Sequence, residues 1–408
     1  MAENTQECDW KLIEAQLPSG WSELAVAMGL VRKRPAHIGQ KILDISIILR
    51  LVLHYVAQRG SMRATTAAAE AAGLVKISQV AFFKWMFKIG AYLERLVARM
   101  VEPGQYASDK SGGYVLIAGD ATTVERPGAT GTTARIHYAL QLSNLAPRFI
   151  RITDETVGET ARHFDALPGE LWILDRGYSN PPSVRAIVEK GADILVRLNW
   201  HSMPLVDGRG RHIDVRDLLS TTKKRGRAMH KRVNVRSADG TTLPARLCWI
   251  WLPKAEAAKA IARAMRDGVK DPAELETSEY VVVITTAPKR RLSAEQILTL
   301  YRARWQVELD FKREKSLGQL DTLPCLRPQT IHAWLCAKVL LSLIVRRLAS
   351  QSVAIPPCGL AGAIFPTVQE EAKAPAPATT PRRQRRALVR HAAGMAAHPR
   401  RLATLRAS

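Results

Sequence analysis

The sequence predicts an α/β protein: a mixed sheet preceded by an all-helical segment and interrupted by a β-rich insertion. Three observations carry this expectation. Residues 114–118 (Tyr-Val-Leu-Ile-Ala) and 171–174 (Leu-Trp-Ile-Leu) are short apolar runs of the kind that form buried strands. Residues before about 105 read as helices. Between about 200 and 278, Asp-Gly pairs punctuate stretches rich in β-formers.

In chain order, Ile42 to Val56 forms a largely apolar helix, and Ser61 to Ala72 an alanine-rich one ended by Gly73. A third helix starts after Ser78, a plausible N-cap, and runs through Phe82, Phe83 and Trp85; Tyr92 to Met100 continues the pattern. The break at residues 73–78 resembles a helix-turn-helix, with Lys76, Lys84 and Lys88 available to phosphate, although small helical bundles give the same pattern. The first strand ends at Gly119-Asp120. After a Gly/Thr-rich turn at 127–132, residues 135–142 and 148–153 read as antiparallel neighbours. Residues 159–167 suit a helix, 171–174 a second strand ending at Asp175, 181–190 a helix and 194–198 a strand. In the insertion, Asp207-Gly208 and Asp239-Gly240 mark hairpins, residues 231–235 and 243–251 strands, 223–227 a basic loop and 254–266 a helix. Residues 279–286 return to the core sheet. Ser293 caps the next helix, and an apolar helix over 331–348 is expected to pack on it. Beyond residue 350, Pro, Ala and Arg predict a mostly disordered basic tail with room for a short helix over 386–395.

Sixty Lys and Arg against 37 Asp and Glu leave a net charge of +23 over 408 residues, the footprint of a polyanion binder. A run of 18 apolar residues and a signal peptide are both lacking, so nucleic acid is a better partner than membrane, and a cytoplasmic location follows. The five cysteines (Cys8, Cys248, Cys325, Cys336 and Cys358) form no CxxC pair, which speaks against a zinc site. Neither GxGxxG nor a Walker loop is present, which excludes the common nucleotide folds.

The chemistry concentrates in residues 301–315. At about 100° per residue, Tyr301, Arg304, Glu308, Lys312 and Lys315 fall within roughly 80° on one helical face, with Asp310 and Glu314 opposite. A solvated helix laced with ion pairs would read the same. Asp120 and Asp175, each at the end of a buried strand, change the balance. With Glu308 they make three carboxylates on separate elements, the set needed by a two-Mg²⁺ phosphoryl-transfer site.

These residues resemble the DDE transposases of the bacterial insertion-sequence-four family. Tyr301, Arg304, Glu308 and Lys315 match its Tyr-x2-Arg-x3-Glu-x6-Lys motif, residues 175–178 its Asp-Arg-Gly-Tyr context and residues 120–122 its Asp-x-Thr context. The resemblance, over roughly residues 110–345, implies a ribonuclease-H-like core split by a β-rich domain. The expected division is 1–108, a helical DNA-binding domain; 109–199 and 279–350, the catalytic core; 200–278, the insertion; and 351–408, the basic tail.

The resemblance further implies Asp120, Asp175 and Glu308 as catalytic metal ligands for two Mg²⁺ ions, replaceable by Mn²⁺. Tyr301, Arg304, Lys312, Lys315 and Arg176 are implied as DNA contacts. One of Trp200, Trp249 or Trp251 is expected to stack on a displaced base. The implied partners are the terminal inverted repeats, target DNA and a second copy of the chain in a homodimeric synaptic complex. A nuclease without strand transfer would share the acids, and a silent DNA-binding relic would share the basic surface.

Overall fold

The computed structural model describes residues 9–31, 44–58, 61–101, 113–126, 128–129, 131–316, 320, 323–324 and 327–352. The chain divides into two compact units. The expected tail, and with it Cys358, lies outside the described residues from 353 onward, as do Cys8 and Cys325. Cys248 and Cys336 are buried free thiols.

In the helical unit, α1 (Trp21–Ala27), α2 (Ile45–Ala57), α3 (Met62–Ala71), α4 (Gln79–Lys88) and α5 (Gly90–Met100) precede a long α12 (Pro328–Ser352). Side-chain caps set the starts: Asp44 accepts from Ser46 N, Ser61 from Ala64 N and Ser78 from Ala81 N. Gly73 takes φ 70° just past α3, where a side chain would be strained. The apolar last helix, expected to pack on the residue-301 helix, is grouped with the helical unit. It lies against α2 and α4, so by packing the core unit ends near residue 325 rather than 350. Its apolar residues, such as Ile331, Leu335 and Leu340, complete the helical core instead.

The second unit is built on one nine-stranded sheet of order β3-β2-β1-β4-β5-β9-β8-β7-β6. Its strands are β1 (Val115–Val124), β2 (Ala134–Gln141), β3 (Ala146–Asp154), β4 (Glu170–Leu174), β5 (Asp193–Arg197), β6 (Leu205–Val206), β7 (Ala228–Arg236), β8 (Thr242–Trp251) and β9 (Tyr280–Thr285). β1, β2 and β3 are antiparallel neighbours, while β4 and β5 add parallel to β1. One face carries α6 (Pro181–Val188) over Trp172, Leu174 and Ile194. The other carries α10 (Ala294–Arg302) and α11 (Trp305–Ser316) over Ala118, Tyr138 and Ile173. This is the ribonuclease-H-like arrangement.

The insertion, which also holds α7 (Val215–Ser220), α8 (Lys254–Arg266) and α9 (Pro272–Thr277), is not a detached sheet. β9 pairs with β5 on one edge and with β8 on the other, so the insertion strands extend the core sheet. Both Asp-Gly pairs lie in turns: Asp207 N bonds Arg211 O, and Ser237 N bonds Thr241 O across the β7–β8 hairpin.

Three local expectations differ. β1 does not end at Asp120; the Thr-rich residues that follow stay paired with β2 as far as Val124. The helix expected over 159–167 shrinks to a 3-10 turn, Ala161–His163, because Phe164 turns extended and stacks on Trp172, with ring centroids 4.7 Å apart. The residue-301 helix is broken between Arg302 and Trp305. There, Arg304 N bonds Tyr301 O and Val307 N bonds Arg304 O, the i→i+3 spacing of a tightened turn.

Candidate active site

The sheet brings two acids together first. Ala118 of β1 is level with Ile173 of the parallel β4, and two residues further on that register sets Asp120 level with Asp175. Asp175 follows the last residue of β4 and starts a 3-10 turn, Arg176–Tyr178. Asp120 pairs across to Tyr138, on the face that α10 and α11 cover. Gly119 permits this packing, because a methyl group there would come within 2.7 Å of Leu174 Cδ2 and 3.2 Å of Phe164 Cζ.

The third acid arrives through Arg304, at the break between α10 and α11. Its guanidinium bonds Glu308 at 2.6 Å and lies 3.7 Å from both Asp120 and Asp175. The side chain of Arg304 is only 14% exposed, which strengthens all three attractions. The Tyr301 hydroxyl donates to Asp175 at 3.3 Å, and Lys315 Nζ donates to Thr123 O at 3.2 Å on the β1 extension. The broken helix therefore still directs Tyr301, Arg304, Glu308 and Lys315 to one place, because the tightened turn carries the same face across. Lys312 is exposed on α11. Asp310, on the other side, is buried and accepts the Tyr138 hydroxyl at 2.7 Å, a packing role.

Burial pushes the Asp120 carboxyl up to about 7; the Ala121 amide and Arg304 pull it down, and Asp175 and Glu159 push it further up. Burial also raises Tyr301, with Asp175 adding to the effect. Glu159 and Tyr178 belong to the same field and carried no role in the sequence reading. Glu159 is held above its ordinary value by burial and by Asp175, against Arg135. Tyr178 is fully buried and among the described residues its hydroxyl has no hydrogen-bond partner; Arg304 Nη1 likewise makes no hydrogen bond among them. Glu159 offers no functional signal in the sequence, where it reads only as the first residue of the helix expected over 159–167.

Among the described residues, no three acidic, histidine or cysteine groups meet closely enough to chelate an ion as they stand. The donor set itself fits a hard divalent cation: carboxylate oxygens from three elements, around a guanidinium that now supplies the positive charge.

Beside the acids, a cleft of about 60 Å³ is lined by Arg176, Arg197, Trp200, Glu274 and Tyr280. The Arg176 guanidinium lies over the Trp200 ring at 5.7 Å. Trp249 is 3% exposed and donates to Thr222 at 2.9 Å, so it packs. Trp251 stacks on Tyr280 and lies under Arg225 at 4.0 Å. Among the described residues no helix is long and apolar enough to cross a membrane.

Comparison with known proteins agrees with this geometry. The model of the transposase DDE domain family matches residues 111–344, which span every residue of the cluster. The chain is 28% identical over 333 residues to the putative transposase InsL for insertion sequence element IS186A of Escherichia coli K12, covering 78% of this chain and 88% of that protein. The transposase for insertion sequence element IS421 of E. coli is also 28% identical, over 334 residues and the same shares of each chain. With the family match covering more than half its length and the three acids drawn onto one arginine, the chain belongs to the DDE transposase family.

Proposed function

We propose that the protein cuts the ends of an insertion sequence and joins them to target DNA, using Asp120, Asp175 and Glu308 as the acids that hold two divalent ions. The observation that carries this reading is the single guanidinium of Arg304 bound to Glu308 and lying 3.7 Å from both aspartates. Held by these three acids, Mg²⁺, with Mn²⁺ as substitute, would supply Lewis acidity to the scissile phosphate and would lower the pKa of the attacking water or 3′-hydroxyl.

The chain's own residues do the rest. Asp120 must lose its proton before it can hold a cation, and the nearby guanidinium favours that loss. Arg304, which faces all three acids, would hold a phosphate flanking the cut. Lys315, held at the β1 extension, and exposed Lys312 grip the backbone. Tyr301 orients Asp175. Trp200 is the tryptophan we assign to stack on a displaced base, since it lines the cleft with Arg176 and Arg197 while Trp249 is buried. The helical unit reads the terminal repeats through α3 and α4. Exposed Lys84 and Lys88 serve as phosphate contacts, while Lys76 is held by Glu70 at 2.9 Å. Two copies pair to synapse both ends.

The test is Mg²⁺- or Mn²⁺-dependent cleavage and joining of DNA bearing the element's ends. Wild type should join, and Asp120→Asn, Asp175→Asn and Glu308→Gln should each lose at least about 100-fold while still binding the ends. Nicking without joining would make the protein a nuclease. Tight binding with no cutting by any form would make it a silent relic.

A further inference from the structure

We propose that Glu159 is a fourth carboxylate of the cation site, binding a divalent ion together with Asp120 and Asp175. The inference rests on the active-site reading above and extends it to a residue outside the three-acid motif.

Glu159 lies in the connection from β3 to β4, which is held at both ends. Arg135 donates to Val157 O, the Thr160 hydroxyl accepts from Arg162 N, and the Ala161 amide donates to Ser183 Oγ at 3.3 Å. The carboxylate rests against Gly177, within the Asp175–Tyr178 segment. A methyl group on Gly177 would come within 2.5 Å of Glu159 Oε2 and 3.7 Å of its Cδ. Gly177 does not adopt a positive φ, so torsion does not require glycine there; a side chain at this position would have to push the Glu159 carboxylate aside.

Charge makes the same point. Arg304 faces Asp120, Asp175 and Glu308, but among the described residues the Glu159 carboxylate accepts no hydrogen bond and joins no ion pair. Its field reaches Asp120 and Tyr178, and that of Asp175 reaches it. Arg135 also lies in the field of Glu159, and the Glu159 side chain is exposed to solvent, which leaves the carboxylate open to an incoming cation. A second, independent sign of a missing ligand is the Tyr178 hydroxyl. It is fully buried, unpartnered among the described residues and within the field of Asp120, Glu159 and Asp175, where a coordinated water would satisfy it.

The experiment is Mn²⁺ binding to the full chain without DNA at pH 8, read by electron paramagnetic resonance. Wild type is compared with Glu159→Gln, Gly177→Ala, their double variant, Asp120→Asn and the exposed neighbour variant Glu155→Gln as control. Glu159→Gln should weaken Mn²⁺ binding about tenfold or more. Gly177→Ala, which displaces the carboxylate without removing a charge, should weaken it in the same direction and add nothing in the Glu159→Gln background. Glu155→Gln should bind as wild type. Wild-type affinity in both Glu159→Gln and Gly177→Ala, with binding lost in Asp120→Asn, would overturn the role of Glu159 and leave the three-acid site standing. Binding unaffected by Asp120→Asn, or no binding by wild type, would overturn both. Should Glu159→Gln fail to give a cooperative melt, Gly177→Ala alone decides by the same criterion.

Discussion

Asp120 carries a charge that the fold resists until a cation arrives. Its carboxyl rises from an ordinary 3.8 to about 7, first through burial and then through Asp175 and Glu159. The sign of the consequence follows from proton counting. Between about pH 4 and 7 the unfolded chain has released this proton while the folded chain keeps it, so stability falls as pH rises through that window. At ~1.4 kcal/mol per unit, the loss above pH 7 has a ceiling of about 4 kcal/mol. Asparagine keeps the shape and removes the titration. The cation-free Asp120→Asn variant should therefore melt several degrees above wild type at pH 8 and close to it at pH 4. Mn²⁺ should stabilise wild type and leave the variant where it is. Melting curves that run parallel across pH 4–8 would show that the Asp120 charge is not strained.

At the scale of elements, the site depends on how α10 is held at its start. Ser293 and Gln296 form a reciprocal capping box there. Behind it, Arg246 of β8 reaches through the core to donate to Ala287 O and Leu292 O, both at 2.9 Å. Arg246 is 6% exposed, so the two carbonyls have no water to replace it. Arg246→Met should cost roughly 2 kcal/mol and reduce DNA cleavage with all three acids intact, because the helix that leads to Arg304 loses its anchor. A variant with wild-type melting temperature and cleavage would remove this link.

Arg246 also shows why part of the molecule was legible in the sequence and part was not. Asp175 could be read because an apolar run ends at it, and Tyr301, Arg304, Glu308 and Lys315 because helical spacing groups them. The break at residues 303–304 contains neither Gly nor Pro and left no trace. Asp120 does not end its strand as local composition predicts, because pairing with β2 carries β1 on to Val124. Arg246 and Glu159 act through contacts at 41 and 18 residues' remove in the chain, to Ala287 and Gly177, which no local pattern encodes.

At the scale of the whole sheet, residues 200–278 look removable and are not. The flanking strands β5 and β9 are antiparallel, and Leu198 N already bonds Val282 O at 3.0 Å, so an Asn-Gly turn could join them into a hairpin. Such a deletion would keep Asp120, Asp175 and Glu308. It would also strip β8 from β9 and expose the backbone of Tyr280–Thr285 as a new edge. Both faces of that strand are apolar, Val283 packing toward α10 and Val282 and Ile284 toward the opposite core. An unpaired apolar edge invites pairing with another chain, and loss of Arg246 would free the start of α10 at the same time. The deleted protein is therefore expected to aggregate and to lose Mn²⁺ binding despite its intact acids, as sedimentation and resonance titration would report. A soluble deletion variant that binds Mn²⁺ like wild type would instead make the insertion a separable module hung on the sheet.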